Sequence, residues 1–156
     1  MESARIALLQ QMPIFGALSD TTLSLLLDGA RDWHVPRGDC FFREGDAGDA
    51  LFVLEQGEVE VCKQTPHGTL RLRSLGPGDC FGEMSLIDLG ARSATVQALS
   101  DCVAFQIGAD RLLALAQHDL EQFALLQMNL SREVSRRLRV ALDQLADARA
   151  QAMGSD

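Results

Sequence analysis

The sequence predicts an α+β fold: a β-roll (a double-stranded β-helix or jelly roll) with helices before it and one long helix after it. Three observations lead there. The apolar period is helical before residue 31, falls to two through residue 108, and is helical again from residue 109. The middle region is cut into short segments by glycine-bearing turns, the pattern of a barrel or sandwich. The C-terminal region holds a heptad-spaced apolar seam. The chain is read as one domain, 1–156, with helices over 1–30, the roll over 31–108 and helices over 109–152.

Taken in order, residues 3–11 repeat helically and Pro13 ends the segment. Ser19 is a good N-cap for a second helix carrying Leu23, Leu25, Leu26 and Leu27. From Trp33 strands alternate with turns at Arg37–Asp39, Glu44–Asp49, Gln56–Gly57, Pro66–Gly68 and Gly76–Asp79. Val59 and Val61 alternate with Glu58 and Glu60, and Leu70 and Leu72 with Arg71 and Arg73, so each strand is expected to have one wet face. Val96 to Ile107 supplies two more strands around Ser100 and Asp101. Asp110 to Gln117 makes a short helix, and Asp119 caps a long one reaching about Ala150. On that helix Val134, Leu138, Ala141, Leu145, Ala148 and Ala152 follow a 4-3-4-3-4 spacing. The seam fits a parallel homodimer through Val134, Leu138, Ala141 and Leu145, or packing against the chain's own roll; the dimer is the favoured reading.

Composition narrows the function. The chain has 156 residues, 47% hydrophobic and 23% charged, ordinary for a globular protein. No run of ~18 apolar residues occurs, so no membrane span is expected. The N-terminus lacks the pattern of a secretory signal, so a cytoplasmic location is expected. The net charge is −8, and the excess acid lies before residue 111, which gives no electrostatic footprint for nucleic acid. Cys40, Cys62, Cys80 and Cys102 form no Cys-x-x-Cys and have no histidine at metal spacing, so each reads as a small apolar residue. His34, His67 and His118 are scattered, and no nucleophile–base set accompanies them. No metal and no catalysis are expected.

The richest stretch is Phe81 to Val96. Gly82 lets the backbone approach a ligand closely. Glu83 can accept from a sugar hydroxyl. Met84 to Leu89 can form one short helix, with Met84 and Ser85 in its first turn. Arg92 offers a planar fork of donors that matches a phosphate. Ser93 and Ala94 are small enough to present backbone N–H groups to the same oxygens. That order suits a small ligand carrying both a sugar hydroxyl and a phosphate.

The stretch resembles the phosphate-binding cassette of cyclic-nucleotide-binding domains. Phe41 to Val61 is similar to that family's opening strands and turns, and Met12 to Asp20 to its lead-in. The resemblance implies a cyclic nucleotide as ligand, cyclic AMP favoured over cyclic GMP. Glu83 would accept from the ribose 2′-hydroxyl, and Arg92 would pair with an exocyclic phosphate oxygen. Backbone groups of Gly82, Ser93 and Ala94 would complete the cradle. Leu72, Met84, Leu86 and Val96 are the apolar candidates around sugar and base. Transcription-regulating members of the family touch adenine with two adjacent hydroxyl residues of the long helix. The aligned positions here are Ala141 and Leu142, which offer no side-chain hydrogen bond, so the base is left to apolar contact or to Arg137 or Arg139. The implied role is a receptor that signals to a downstream protein by rearranging its C-terminal helix. A nucleotide-independent interaction module and the sensor half of a transcription regulator are the alternatives, and whether the natural chain continues past Asp156 is open. No direct DNA binding is expected of these residues themselves.

Overall fold

The computed structural model describes residues 2–154. Helix α1 (Glu2–Gln10) leads through a 3-10 turn (Pro13–Phe15) into α2 (Asp20–Leu27). Eight strands follow: β1 (Arg31–Val35), β2 (Cys40–Phe42), β3 (Ala50–Gln56), β4 (Val59–Thr65), β5 (Gly68–Leu75), β6 (Cys80–Phe81), β7 (Thr95–Ala98) and β8 (Cys102–Gly108). Helix α3 (Glu83–Asp88) interrupts them between β6 and β7. The chain ends in α4 (Ala109–His118) and α5 (Leu120–Met153). The predicted roll is thus observed, with α3 starting one residue earlier than expected.

The strands form two antiparallel four-stranded sheets, ordered β1-β8-β3-β6 and β2-β7-β4-β5. The first sheet is covered on both faces, which explains its apolar runs: every residue from Ala50 to Leu54 is buried. Phe52, Leu54, Phe81 and Ala104 face the second sheet and meet Phe41, Val59, Val61 and Val96. Leu51, Val53, Phe105 and Ile107 face the other way, into Leu9, Phe15, Leu23, Leu26, Leu126 and Leu130 of the helices. The helices therefore sit on the far side of the first sheet from the second.

Both predicted caps form. Ser19 Oγ accepts from the Thr22 N–H at 3.1 Å, and Asp119 Oδ1 from the Gln122 N–H at 3.2 Å. Gln122 Oε1 then accepts from the Ser19 N–H at 2.9 Å and the Thr22 hydroxyl at 2.8 Å, tying α5 to the start of α2. Asn129 Nδ2 donates to the Gly16 carbonyl at 2.9 Å.

One expectation needs correction. Strand β5 has no dry face: residues 68–74 are all exposed, Leu70 and Leu72 included. It is the edge of its sheet, bonded only to β4, and only Leu75 at its end packs against the core. Of the two readings of the α5 seam, packing on the roll is not what is observed from Leu138 onward. Every residue from Leu138 to Gly154 is exposed, with Leu138 at 58% and Leu145 at 52%. The four cysteines are free thiols, three of them buried and Cys40 half-buried. The three histidines are exposed.

Candidate functional site

The site starts at the end of β6. Gly82 has φ +84°, a left-handed conformation that turns the chain from β6 into α3. A Cβ there would meet Arg92 Nη1 at 2.6 Å and the Ala50 carbonyl at 3.2 Å. Gly48 plays a matching part across the site, where a Cβ would stand 2.4 Å from Arg92 Nε. Two glycines thus clear the space the guanidinium fills. The sequence reading named only Gly82; the close approach of Gly48 requires knowing that residues 45–49 fold over Arg92.

Helix α3 is one short turn with a fixed exit. Its carbonyl at Ser85 accepts from the Leu89 N–H at 2.9 Å, and the buried Ser85 hydroxyl donates to the Gly90 carbonyl at 3.1 Å. The chain then runs through Arg92, whose backbone is clamped on both sides. The Gly45 N–H donates to the Arg92 carbonyl and the Arg92 N–H to the Asp46 carbonyl, both at 2.8 Å. This clamp fixes the backbone of Arg92, which lines the same cavity as Glu83.

Arg92 is 6% exposed. Its Nη1 donates to the carbonyls of Ala50 at 2.8 Å and Gly82 at 3.1 Å, and its guanidinium lies 4.2 Å from the Phe42 ring centroid. Burial lowers its pKa, while Asp49 and Asp46 push it back up. Glu83 is 4% exposed and ion-paired through Oε1 to Arg137 of α5. Arg137 is also held by Glu133 Oε1 at 3.1 Å. Burial lowers the Arg137 pKa most, and the neighbouring Arg73 adds to that. Cys80 lies beside the same guanidinium, and burial pushes its thiol up to about 11.

Two buried polar side-chain atoms lack a hydrogen-bond partner among the described residues: Glu83 Oε2 and Arg92 Nε. One accepts and the other donates, and both belong to residues that line one cavity. A buried polar atom without a partner costs about 1–3 kcal/mol. Two such atoms of opposite kind at one place fit a ligand that brings a hydroxyl and an anionic oxygen.

The cavity holds roughly 60 Å³. Gly82, Glu83, Met84 and Ser85 line one side, Arg92, Ser93 and Ala94 another, with Phe42, Val96 and Arg73 between them. The predicted stretches Gly82 to Ser85 and Arg92 to Ala94 are therefore brought together. Leu72 is not among them, because its side chain is exposed on the edge strand and its neighbour Arg73 takes the cavity position. Of the apolar candidates, Met84 and Val96 line the cavity, whereas Leu86 turns into the core beneath the helices. Arg137 reaches Glu83, while Arg139 is exposed. Among the described residues, no cluster of three or more His, Cys, Asp or Glu could hold a metal ion, and no helix is long and apolar enough to cross a membrane.

Comparison with known proteins identifies the family and the fold. The sequence profile of the cyclic nucleotide-binding domain covers residues 32–119. The cyclic AMP receptor protein of Thermus thermophilus is 35% identical over 130 residues, covering 83% of this chain and 58% of that protein. A cyclic nucleotide-binding domain from Methylobacillus flagellatus superposes with a TM-score of 0.81 at 26% identity, covering 94% of this chain and 83% of the other. The regulatory domain of Toxoplasma gondii PKA, solved with cAMP, superposes with a TM-score of 0.69 at 28% identity, covering 72% and 43%. The chain spans about three fifths of the length of the first curated relatives it matches. The chain belongs to the cyclic nucleotide-binding domain family.

Proposed function

We propose that this member of the cyclic nucleotide-binding family is a receptor for a cyclic nucleotide, cyclic AMP first, whose occupancy is reported by α5. The observation that carries the reading is the orphaned pair, Glu83 Oε2 and Arg92 Nε, at one cavity. The ribose 2′-hydroxyl would donate to Glu83 Oε2. An exocyclic phosphate oxygen would accept from Arg92. Backbone N–H groups of Ser93 and Ala94 would share that anion. At roughly 60 Å³ the cavity is well below the ~300 Å³ of a usual ligand pocket. The nucleotide therefore displaces the exposed side chains at its mouth, Met84 and Arg73, as it enters.

Glu83 couples the ligand to the long helix. One carboxylate oxygen holds Arg137 and the other is free for the sugar. A nucleotide on Glu83 would add to the helix contact rather than replace it, and so favour the docked arrangement of α5 by population shift. The exposed seam of Leu138, Ala141 and Leu145, continued from Val134, would pair with a second copy of the chain, giving a homodimer that presents its change to a downstream protein.

One observation favours cyclic GMP as a second reading. Arg73 lines the cavity and has no carboxylate partner among the described residues, unlike Arg71, which pairs with Glu60 at 2.6 Å. A guanidinium with two free donors matches the N7 and O6 acceptors of guanine.

A thermal-shift titration with cyclic AMP, cyclic GMP and 5′-AMP tests both readings. A ligand at 100 times its dissociation constant adds about 2.7 kcal/mol, a rise of roughly 5–10 °C for this size. A rise with one cyclic nucleotide and none with 5′-AMP is expected, and it names the base. No rise with either would overturn the receptor reading. Arg92→Leu is expected to lose about 3–5 kcal/mol of affinity, because the phosphate is left buried without its cation, while the domain still folds. Retained micromolar binding in that variant would refute the assignment of Arg92.

A further inference from the structure

Lys63 of β4 is not among the residues that line the cavity, yet it grips the segment that faces the phosphate site. Its ammonium donates to the Ser93 carbonyl at 2.7 Å and to Glu44 Oε2 at 3.2 Å. Glu44 is itself fixed. Its carboxylate accepts from the Gln64 N–H at 3.2 Å, and its own N–H donates to Thr95 Oγ1 at 2.9 Å. The bond from Gln64, then that from Lys63, holds its carboxyl below the usual range. The ammonium therefore has an anchored counter-ion on one side and a peptide oxygen on the other.

That peptide matters because of its geometry. A trans peptide is planar, with its C=O and N–H antiparallel. The oxygen of the Ser93–Ala94 peptide points to Lys63, so the Ala94 N–H points away from it, and Ala94 lines the cavity. An ammonium on the oxygen also polarises the peptide, which strengthens the N–H as a donor.

We propose that Lys63 is a positioning residue for the phosphate site: from outside the cavity it aims and strengthens the Ala94 N–H toward a phosphate oxygen of the bound nucleotide. The proposal rests on the cyclic-nucleotide reading above. It assigns a ligand-directed task to a half-exposed surface lysine that never touches the ligand.

Calorimetric titration of the wild type, Lys63→Met and Lys63→Arg tests it. The ligands are the cyclic nucleotide that binds and its two phosphorothioate diastereomers, in each of which sulfur replaces one exocyclic oxygen. Lys63→Met is expected to weaken binding of the parent nucleotide about tenfold, the worth of one hydrogen bond. Lys63→Arg, which keeps the cation, is expected to recover most of it. For the diastereomer whose sulfur faces the Ala94 N–H, the Lys63→Met penalty is expected to shrink to under about threefold, because sulfur is a weak acceptor; for the other it persists. An equal penalty for all three ligands marks a merely structural lysine and overturns the proposal, as does unchanged affinity in Lys63→Met. A wild type that binds no cyclic nucleotide overturns the ligand reading itself and this proposal with it. A ¹⁵N spectrum of free Lys63→Met shows whether the fold is intact, and an unmoved Ala94 amide there also overturns the proposal. Lys63→Gln takes its place should the methionine variant not fold.

Discussion

The two halves of α5 are one continuous helix in opposite surroundings. In the inner half, Leu126 and Leu130 are each 1% exposed, and Gln122 and Asn129 bond to residues 16–22. In the outer half, from Leu138 to Met153, no residue is buried. Helical propensity is similar along both, with Leu, Ala, Arg and Gln throughout. The difference is packing alone. A helix segment of this length is marginal by itself in water, so the inner half is held by the core and the outer half borrows its order from the inner half or from a partner. Arg137 is the last half-buried residue before the change, and it is the one that reaches Glu83.

The sharpest way to break this comparison is to remove the same side chain from each half. Leu126→Ala leaves a cavity among Phe15, Leu23 and their neighbours and is expected to cost about 3 kcal/mol. Leu145→Ala changes a side chain that is 52% exposed and is expected to stay within about 0.5 kcal/mol. Urea denaturation at several protein concentrations reads both. A loss in Leu145→Ala that grows with protein concentration would show the outer half covered by a second copy. A comparable, concentration-independent loss in both would end the distinction between the halves.

Much of the architecture was legible because local chemistry and tertiary packing agree. Ser19 and Asp119 announce helix starts and do cap them. The glycine turns cut the roll into strands where the sheets need them. The cassette was legible because Gly82 to Ser85 and Arg92 to Ala94 are close in sequence, so one short helix and one clamp bring them together. What stayed hidden depends on distant chain segments. The apolar alternation of Leu70 and Leu72 promised a dry face, but alternation cannot tell an edge strand from an inner one. Gly48 and Lys63 meet Arg92 and Ser93 only because residues 43–49 and β4 fold beside the cassette. Arg137 lies 54 residues from Glu83 on a helix whose rotation is set by Leu126 and Leu130. One arginine among Arg136, Arg137 and Arg139 could be singled out only once that face was fixed.

The boundary between the halves gives the smaller but more specific test. Arg137→Ala leaves the Glu83 carboxylate buried with neither oxygen paired among the described residues. Breaking a fully buried pair costs about 3–5 kcal/mol, and because Arg137 keeps some exposure about 2 kcal/mol is expected here. Chemical denaturation of the free chain measures it. If the cost comes from a stranded charge, Glu83→Gln in the same chain should return most of it, since a neutral amide is far cheaper to bury. If it comes from lost packing of the arginine stem, the double variant should stay as weak as Arg137→Ala. Hydrogen exchange then separates stability from signalling. In the wild type, nucleotide binding is expected to slow exchange across residues 134–145 if, as proposed, the ligand and the helix share the Glu83 carboxylate. In Arg137→Ala the nucleotide should still slow exchange at Gly82 to Ala94 but no longer along the helix. Protection of the helix that survives without Arg137 would mean that occupancy reaches α5 through the roll rather than through Glu83.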